Sequence, residues 1–547
     1  METRPALDTD RARLLAALRA AREVDLLVIG GGATGLGVAL DASLRGLSVV
    51  LLESHDFAGG TSSRATKLVH GGVRYLAQGR VGLVREALHE RRALLRNAPH
   101  LAQPLAFVVP GYRGWEVPFY GAGLEVYDAL AGSASLGPTR WLSRARTLES
   151  LPGARAQGLR GGVQYWDGQF DDARLALALA RSAAAQGALL LNHCSVEGLL
   201  HEGGRVRGAR WRDALGGGEG SVRARCVVNA AGVWVDEIRR MEAGGRKIEP
   251  MVAPSQGVHL VVDRAFMPGD QALLVPRTRD GRVLFAVPWM GRLILGTTDT
   301  PRGDLTREPL PFEHEIDFIL SEAAEVLARP PGRADILSLW VGLRPLLRPG
   351  NGEEGPSRRL SREHAVRIGP GGLVTVTGGK WTTYRAMAED VLDRCVQATF
   401  FEQLPACRTA DFRLIGAPAP GWPRVPLTRE PGPRLYGTEA PLVESLPGAG
   451  AMLGLGLSEA MVRFAVRHEY ARTVEDVLAR RHRMIFLDAA LAARAAGRVA
   501  EILAEETGIA QDPRPFLALA RQYGARAAAG PSESRVQGRS QSMGLKK

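Results

Sequence analysis

Four cysteines in 547 residues, Cys194, Cys226, Cys395 and Cys407, are too few and too scattered for a disulfide scaffold. None forms a C-x-x-C pair, and none stands with histidine at metal-ligand spacing. No metal is therefore expected, and the chain reads as a reduced, cytoplasmic protein. Aromatic residues are scarce at 6%, and no dense Lys/Arg run has aromatics interleaved with it. That argues against nucleic acid as a partner, although the formal charge is +12. No apolar stretch approaches the roughly 20 residues of a membrane span. The N-terminus carries Glu2, Asp8 and Asp10, and the apolar run at 14–18 is too short for a secretory signal. Any membrane contact is expected to be peripheral. Glycine and apolar residues, by contrast, are plentiful. The 65 glycines and a 45% hydrophobic fraction fit an α/β protein with many tight turns and a large core. The positive balance is either an arginine-rich surface or the mark of an anionic partner, a phosphorylated substrate or an anionic membrane.

Along the chain, residues 10–23 read as a short helix and 24–29 as a buried parallel strand that ends at Gly30. A helix over 33–44 and a strand over 48–52, closing on Glu53, complete a βαβ unit. Residues 80–98 and 171–186 are helical by periodicity, whereas 99–150 read as an irregular inserted segment. A meander follows at 188–191, 206–211 and 222–228, then strands at 258–262, 283–287 and 293–296. A helix at 313–328, strands at 336–341 and 373–377, and a helix over 382–398 come next. Residues 404–450, rich in Pro and Gly, read as a linker with long loops. Residues 457–525 read as helical, with Thr473 as an N-cap and Asp476 completing a variant capping box. The stretch from about 525 is polar and basic and is expected to be disordered.

Five motifs carry chemistry. Gly30, Gly32 and Gly35 make G-x-G-x-x-G, with Gly31, Ala33 and Thr34 between them. A pyrophosphate can sit on a helix N-terminus only where no Cβ intervenes. The flanking strand and helix, and Glu53 placed to accept from ribose hydroxyls, lift the pattern above a chance turn. The pattern alone does not separate FAD from NAD. Next, residues 61–75 (T-S-S-R-A-T-K-L-V-H-G-G-V-R-Y) crowd hydroxyls, Lys67, His70 and Arg74 just after the βαβ unit, either as a solvated loop or as one threading along a flavin and its diphosphate. Gly378-Gly379-Lys380-Trp381-Thr382 forms a second strand–turn–helix, whose dipole and Lys380 would stabilise negative charge on a reduced flavin. The strand running into Asn229-Ala230-Ala231-Gly232 lets a flat ring approach the backbone. Finally, His259, Arg344 and Arg362 are scattered cationic candidates, since arginine binds a phosphate dianion as a fork.

Taken in order, these motifs make the chain resemble the FAD-dependent glycerol-3-phosphate dehydrogenases of the aerobic, quinone-linked type. The match runs over residues 29–35, 61–75, 166–175 (W-D-G-Q-F-D-D-A-R-L), 229–234, 296–299 (G-T-T-D), 341–345 and 378–385, with 472–478 (R-T-V-E-D-V-L) as a C-terminal signature. The resemblance implies a discontinuous, Rossmann-like FAD-binding domain in three parts (22–98, 156–248 and 341–403). It also implies an antiparallel-sheet substrate domain (99–155 and 249–340), a C-terminal helical domain (404–525) and a tail (526–547). It implies oxidation of sn-glycerol 3-phosphate to dihydroxyacetone phosphate, by hydride transfer from C2 to flavin N5, with electrons passed to a quinone at the inner face of the cytoplasmic membrane. Carried over by position, Arg74, Tyr75, His259, Arg344, Arg362 and Lys380 fall on the substrate side. Thr61, Ser62, Ser63, Lys67, His70 and Thr382 fall on flavin or diphosphate, joining Gly30, Gly32, Ala33, Thr34, Gly35, Glu53, Gly232, Gly378 and Lys380. His259 and His70 are both candidates for the base, and a homodimer is compatible with the resemblance. The rival readings are a glycerol-3-phosphate oxidase using oxygen and an amine or amino-acid oxidase of the same superfamily.

Overall fold

The computed structural model describes residues 7, 9–76, 79–348 and 363–524, with no description of the side chains of Arg74 and Tyr75. The expected tail and Arg362 lie outside the described residues.

The strand Glu23–Ile29 is apolar on both faces and almost wholly buried, which suits the middle of a parallel sheet. It pairs in parallel with Val49–Leu52 on one side and Glu219–Asn229 on the other. Leu189–Leu191 extends one edge and Val374–Gly378 the other, both parallel. His364–Ile368 closes the second edge antiparallel. The eight strands are completed by Cys194–Glu202 and Arg205–Asp213, a meander on the N-terminal half of Glu219–Asn229. The helix Ala33–Leu44 lies between Asp172–Ala185 and Tyr384–Gln397. Close approach explains its glycines: a Cβ on Gly37 would stand 2.9 Å from the Tyr384 ring.

A second sheet has ten strands, with Val252–Asp263, Arg292–Gly296, Leu284–Trp289, Ala272–Val275, Ala102–Gly111 and Gly161–Phe170 as its spine. It is antiparallel except where Ala272–Val275 runs parallel to Ala102–Gly111. Ser338–Leu347 pairs along ten residues of Val252–Asp263. Two expectations change here. Residues 99–150 are not irregular: Ala102–Gly111 is a central strand and Glu116–Ala131 a helix. Pro104 and Pro110 disguise the strand, but Ala272–Val275 pairs only with Phe107 and Val108, so neither proline interrupts that ladder. In addition, Leu68–Val69 and Gly161–Phe170, counted above with the FAD-binding parts, hydrogen-bond within the second sheet. The segment that follows the βαβ unit therefore bridges the two sheets.

The C-terminal helices Glu459–His468, Met484–Leu487, Ala489–Thr507 and Arg514–Gly524 share one core with the second sheet, including Trp289, Ile294 and Trp340. The capping box at Thr473 is present: Thr473 Oγ1 accepts from Asp476 N (3.2 Å) and the Asp476 carboxylate from Thr473 N (3.0 Å).

Candidate active site

Three turns stand side by side where neighbouring parallel strands end: 30–35, 230–232 and 378–380. This is the crevice at which open α/β sheets bind ligands. In the first turn Gly30 has φ +111°, and a Cβ there would lie 2.6 Å from the Ala230 carbonyl oxygen. A Cβ on Gly35 would fall 2.0 Å from the Gly30 oxygen. Only glycine folds this turn, and the N-cap residue of the helix that begins at Ala33, Gly32, has no side chain to cap it. Glu53 Oε2 accepts from Gly31 N at 2.7 Å and its other oxygen from His55 N at 2.9 Å, which fixes the carboxylate at the end of Val49–Leu52. Thr34, in the first turn of the helix, is half-buried.

The second turn leaves open space over Gly232, at φ +62°. Its carbonyl accepts from Thr377 Oγ1 at 3.1 Å. In the third, Gly378 and Gly379 have φ +85° and +72°, and Lys380, half-buried, starts the short helical turn Trp381–Thr383.

The segment 61–70 is braced against all of this. Ser62 Oγ accepts from Ala33 N (2.9 Å), and Ser62 O accepts from Trp381 Nε1 (2.9 Å). Thr61 Oγ1 donates to Leu343 O (2.6 Å), and Thr382 Oγ1 to His70 O (3.5 Å). Ser63 is buried. Arg74 and Tyr75 stand on the one-turn helix Val73–Leu76 that follows.

Lys67 is not placed with these contacts. Its backbone sits at φ +66°, and the side chain is completely buried in an ion pair with Asp172 (2.7 Å). The rings of Trp289, Trp340 and Phe486 surround its ammonium at 5.0–5.4 Å. Expected on flavin or diphosphate, it lies instead behind the segment that would carry them. Burial and the neighbouring Arg483 push its pKa down to about 7, against the pull of Asp172.

On the substrate side, His259 from Val252–Asp263 is stacked on Trp340 (centroids 5.1 Å apart, 16° between planes). Its Nε2 is 2.9 Å from Thr66 Oγ1, and its Nδ1 is buried with no hydrogen-bond partner among the described residues. Burial first, then the charges of Arg344 and Lys67, hold its pKa well below the ordinary imidazole value, so the ring is neutral. Arg344, on the adjacent strand and 21% exposed, is fixed by Gln256 O (3.0 Å), Thr298 O (2.8 Å), Thr297 Oγ1 (3.1 Å) and Asp299 Oδ1 (3.2 Å). Behind it lies Glu315, 1% exposed, which accepts from Thr298 Oγ1 (2.8 Å), Thr300 Oγ1 (2.6 Å), Phe312 N (3.0 Å) and Gln256 Nε2. Glu315 and Gln256 escaped the reading of the sequence, because a helix-start glutamate signals a cap and nothing more. The Gly296-Thr297-Thr298-Asp299 motif was the available signal for this side of the site.

Comparison with known proteins decides the family. The pattern of FAD-dependent oxidoreductases matches residues 25–385, and that of the C-terminal domain of alpha-glycerophosphate oxidase matches 434–514. A mitochondrial glycerol-3-phosphate dehydrogenase of Arabidopsis thaliana is 41% identical across 92% of this chain and 86% of its own. The chain belongs to the FAD-dependent glycerol-3-phosphate dehydrogenase family. A mouse mitochondrial member is 40% identical over 91% of this chain and 72% of its own. A crystal structure of the glycerol-3-phosphate dehydrogenase from Bacillus halodurans complexed with FAD superposes with a TM-score of 0.75 at 30% identity, covering 94% of this chain and 97% of that one. FAD is the cofactor of this family member. The glycine cradle, which any Cβ would fill, and the carboxylate at Glu53 fit its ADP half.

Proposed function

We propose that the protein oxidises sn-glycerol 3-phosphate to dihydroxyacetone phosphate and passes the electrons to a quinone. The observation that carries the reading is the pairing of a fixed guanidinium, Arg344, with a buried neutral imidazole, His259, on adjacent strands beside the glycine-rich turns. The backbone of 30–35 and the Glu53 carboxylate would hold the pyrophosphate and ribose, and Ser62, Ser63, Gly232, His70 and Thr382 would line the rest of the cofactor site. Bound FAD supplies a two-electron hydride acceptor.

The residues of the chain do the remaining work. Arg344, together with Arg74 and Arg362, would hold the phosphate dianion, and so orient the C2–H bond. Four acceptors hold the Arg344 guanidinium in place and occupy its terminal N–H groups, so binding the phosphate would exchange some of these bonds for bonds to it. The C2 hydroxyl must also lose a proton. His259 and His70 are the two candidate acceptors; burial and the charges of Arg344 and Lys67 keep the His259 ring neutral, with a lone pair to offer but a lowered basicity. Lys380, at the start of the helical turn, would stabilise negative charge on the reduced cofactor.

Quinone use implies a membrane seat. No helix among the described residues is long and apolar enough to cross a membrane. The helix Glu116–Ala131, however, exposes an apolar stripe, with Trp115 (51%), Phe119 (65%) and Val126 (51%) facing solvent and Arg113 beside them. Such a stripe fits a lipid surface. Anaerobic titration with sn-glycerol 3-phosphate tests the activity: the oxidised flavin band should bleach, whereas glycerol and alanine should leave it. No bleaching would sink the substrate assignment. Reoxidation by a soluble quinone with little hydrogen peroxide formed in air separates the dehydrogenase from the oxygen-using oxidase.

A further inference from the structure

We infer that Arg483, supplied by the C-terminal helices, is a positioning residue of the FAD site, clamping the segment 61–67 against the cofactor-binding helix through Ser63 and Asp172. The inference rests on FAD binding and does not depend on which substrate is oxidised.

Arg483 is 0% exposed and stands at φ +74° at the start of Met484–Leu487. One guanidinium nitrogen donates to Ser63 O (2.5 Å) and to Asp172 Oδ1 (3.2 Å); the other donates to Ala479 O (2.7 Å). The same Ser63 carbonyl accepts from Lys67 Nζ (2.8 Å), and Asp172 Oδ2 accepts from Lys67 Nζ (2.7 Å) and Ala65 N (3.0 Å). Two cations from opposite ends of the sequence therefore converge on one carbonyl and one carboxylate. The residue before that carbonyl is Ser62, whose hydroxyl accepts from Ala33 N and whose carbonyl accepts from Trp381. The path from Arg483 to the first turn of the cofactor-binding helix is two adjacent residues long.

A plain reading would make this a core ion cluster that stabilises the fold. Burial argues otherwise. Lys67, Asp171, Asp172 and Arg483 are all fully enclosed, and such clusters seldom add stability over apolar side chains of the same volume. What they impose is geometry. Lys67 and Arg483 can satisfy Ser63 O and Asp172 together only when residues 61–67 keep this path, and the Phe486 ring at 4.0 Å and the Trp289 ring at 5.9 Å from the guanidinium limit its alternatives. The C-terminal helices thus act on the cofactor site without touching the crevice.

The test compares Arg483→Lys and Arg483→Met with Ile502→Val, a conservative truncation in the same helical core away from the segment. FAD affinity is read by flavin fluorescence on titrating apoprotein, alongside thermal unfolding of the apo and FAD-loaded forms. Loss of a charge-assisted fork should weaken FAD binding about tenfold in Arg483→Lys and further in Arg483→Met. Ile502→Val should lower the melting temperature with FAD affinity unchanged. Saturating FAD should restore turnover in Arg483→Lys, and the loss of affinity should persist at temperatures where the apoprotein is fully folded, which a purely structural lesion would not show. If Arg483→Met does not fold, Arg483→Lys decides, because it keeps charge and most of the volume but has no second nitrogen to hold Ala479 O while the first binds Ser63 O and Asp172. Should that also fail, Asp172→Asn, nearly isosteric, should weaken FAD binding in the same direction. Unchanged FAD affinity in the folded variants, with only a lowered melting temperature, overturns the inference. Weakened FAD binding with normal bleaching by sn-glycerol 3-phosphate separates it from the substrate assignment.

Discussion

The two sheets reach the same crevice by opposite means. The eight-stranded sheet offers backbone: its contribution at 30–35, 230–232 and 378–379 is glycine, where a Cβ would strike a carbonyl at Gly30, Gly35 and Gly378 and would take up the open space over Gly232. The ten-stranded sheet and the helix Glu313–Val326 against it offer side chains: buried His259, Asp299, Gln256 and Glu315, with Arg344 half-buried among them. A cofactor with a long diphosphate can be held by N–H groups and a helix dipole. A small dianion that must be oriented needs side-chain charges fixed from behind. The contrast predicts which lesions cost the cofactor and which cost only the substrate.

The largest effect should come from the backbone side. In Gly35→Ala the new methyl would sit 2.0 Å from the Gly30 carbonyl oxygen, with no flexible atom to yield. We expect at least about 3 kcal/mol of destabilisation and loss of retained flavin, read as a colourless purified protein with a lowered urea midpoint. A yellow, fully stable variant would break the comparison at its root. Arg344→Ala comes next and should do the reverse. Flavin content should be normal, while kcat/KM for sn-glycerol 3-phosphate falls by about a thousandfold, as loss of a charge-assisted phosphate contact implies. Flavin loss in Arg344→Ala would mean that the two sheets do not divide the labour.

This contrast also explains what could be read in advance. The parallel strands announce themselves as unbroken apolar runs, and G-x-G-x-x-G and Gly378-Gly379 are local signals, because a backbone site is built from neighbours in sequence. The ten-stranded sheet hides. Its strand Ala102–Gly111 carries two prolines, its helix Glu116–Ala131 is apolar on the solvent side as well as the buried side, and Cys194–Glu202 in the other sheet pairs with a single neighbour. Arg344 and His259 could be named from the resemblance, but their supports could not. Glu315 reaches Gln256 across 59 positions, and Arg483 reaches Ser63 across 420. Lys67 was misread for the same reason. A lysine in a polar loop looks like a ligand until Asp172 and three rings close over it.

Acid should sharpen the comparison further. His259 is held neutral by burial, Arg344 and Lys67, and His100 and His482 are pushed down to about 3 by burial and neighbouring arginines. In the unfolded chain these rings take up protons below a pH of about 6.5. Their stabilisation is therefore complete above that value and is lost as the pH falls. Each contributes up to about 2 kcal/mol of lost stability between pH 6.5 and 5. His193 works the other way, because Asp476 outweighs burial and raises its pKa. His55 is lowered too, by burial and then by Arg307, so four rings against one predict a net fall in the urea midpoint across that window. His100→Phe, which removes one of the four, should make the fall shallower. A stability that is level from pH 7 to 5 would contradict the assignment of neutral buried rings.

The smallest expected effect isolates the third region. Thr473 Oγ1 accepts from Asp476 N, whereas the Asp476 carboxylate binds Thr473 N, Arg472 N (2.8 Å), Arg480 (3.0 Å) and His193 (3.0 Å). Removing the hydroxyl in Thr473→Ala leaves that carboxylate and its cations intact. The loss should be that of a single helix cap, about 1 kcal/mol, visible as a melting temperature lowered by a few degrees. Flavin content and kcat/KM should not change, because the cap sits at the far end of the π-helical turn Asp476–Arg481 from Arg483. A cap lesion that spares FAD, set beside an Arg483 lesion that weakens it, would show that the C-terminal helices hold the cofactor site through one side chain and not through their general stability. If Thr473→Ala weakens FAD as much as Arg483→Lys does, the helices act as a block, and the clamp is no more than one of its contacts.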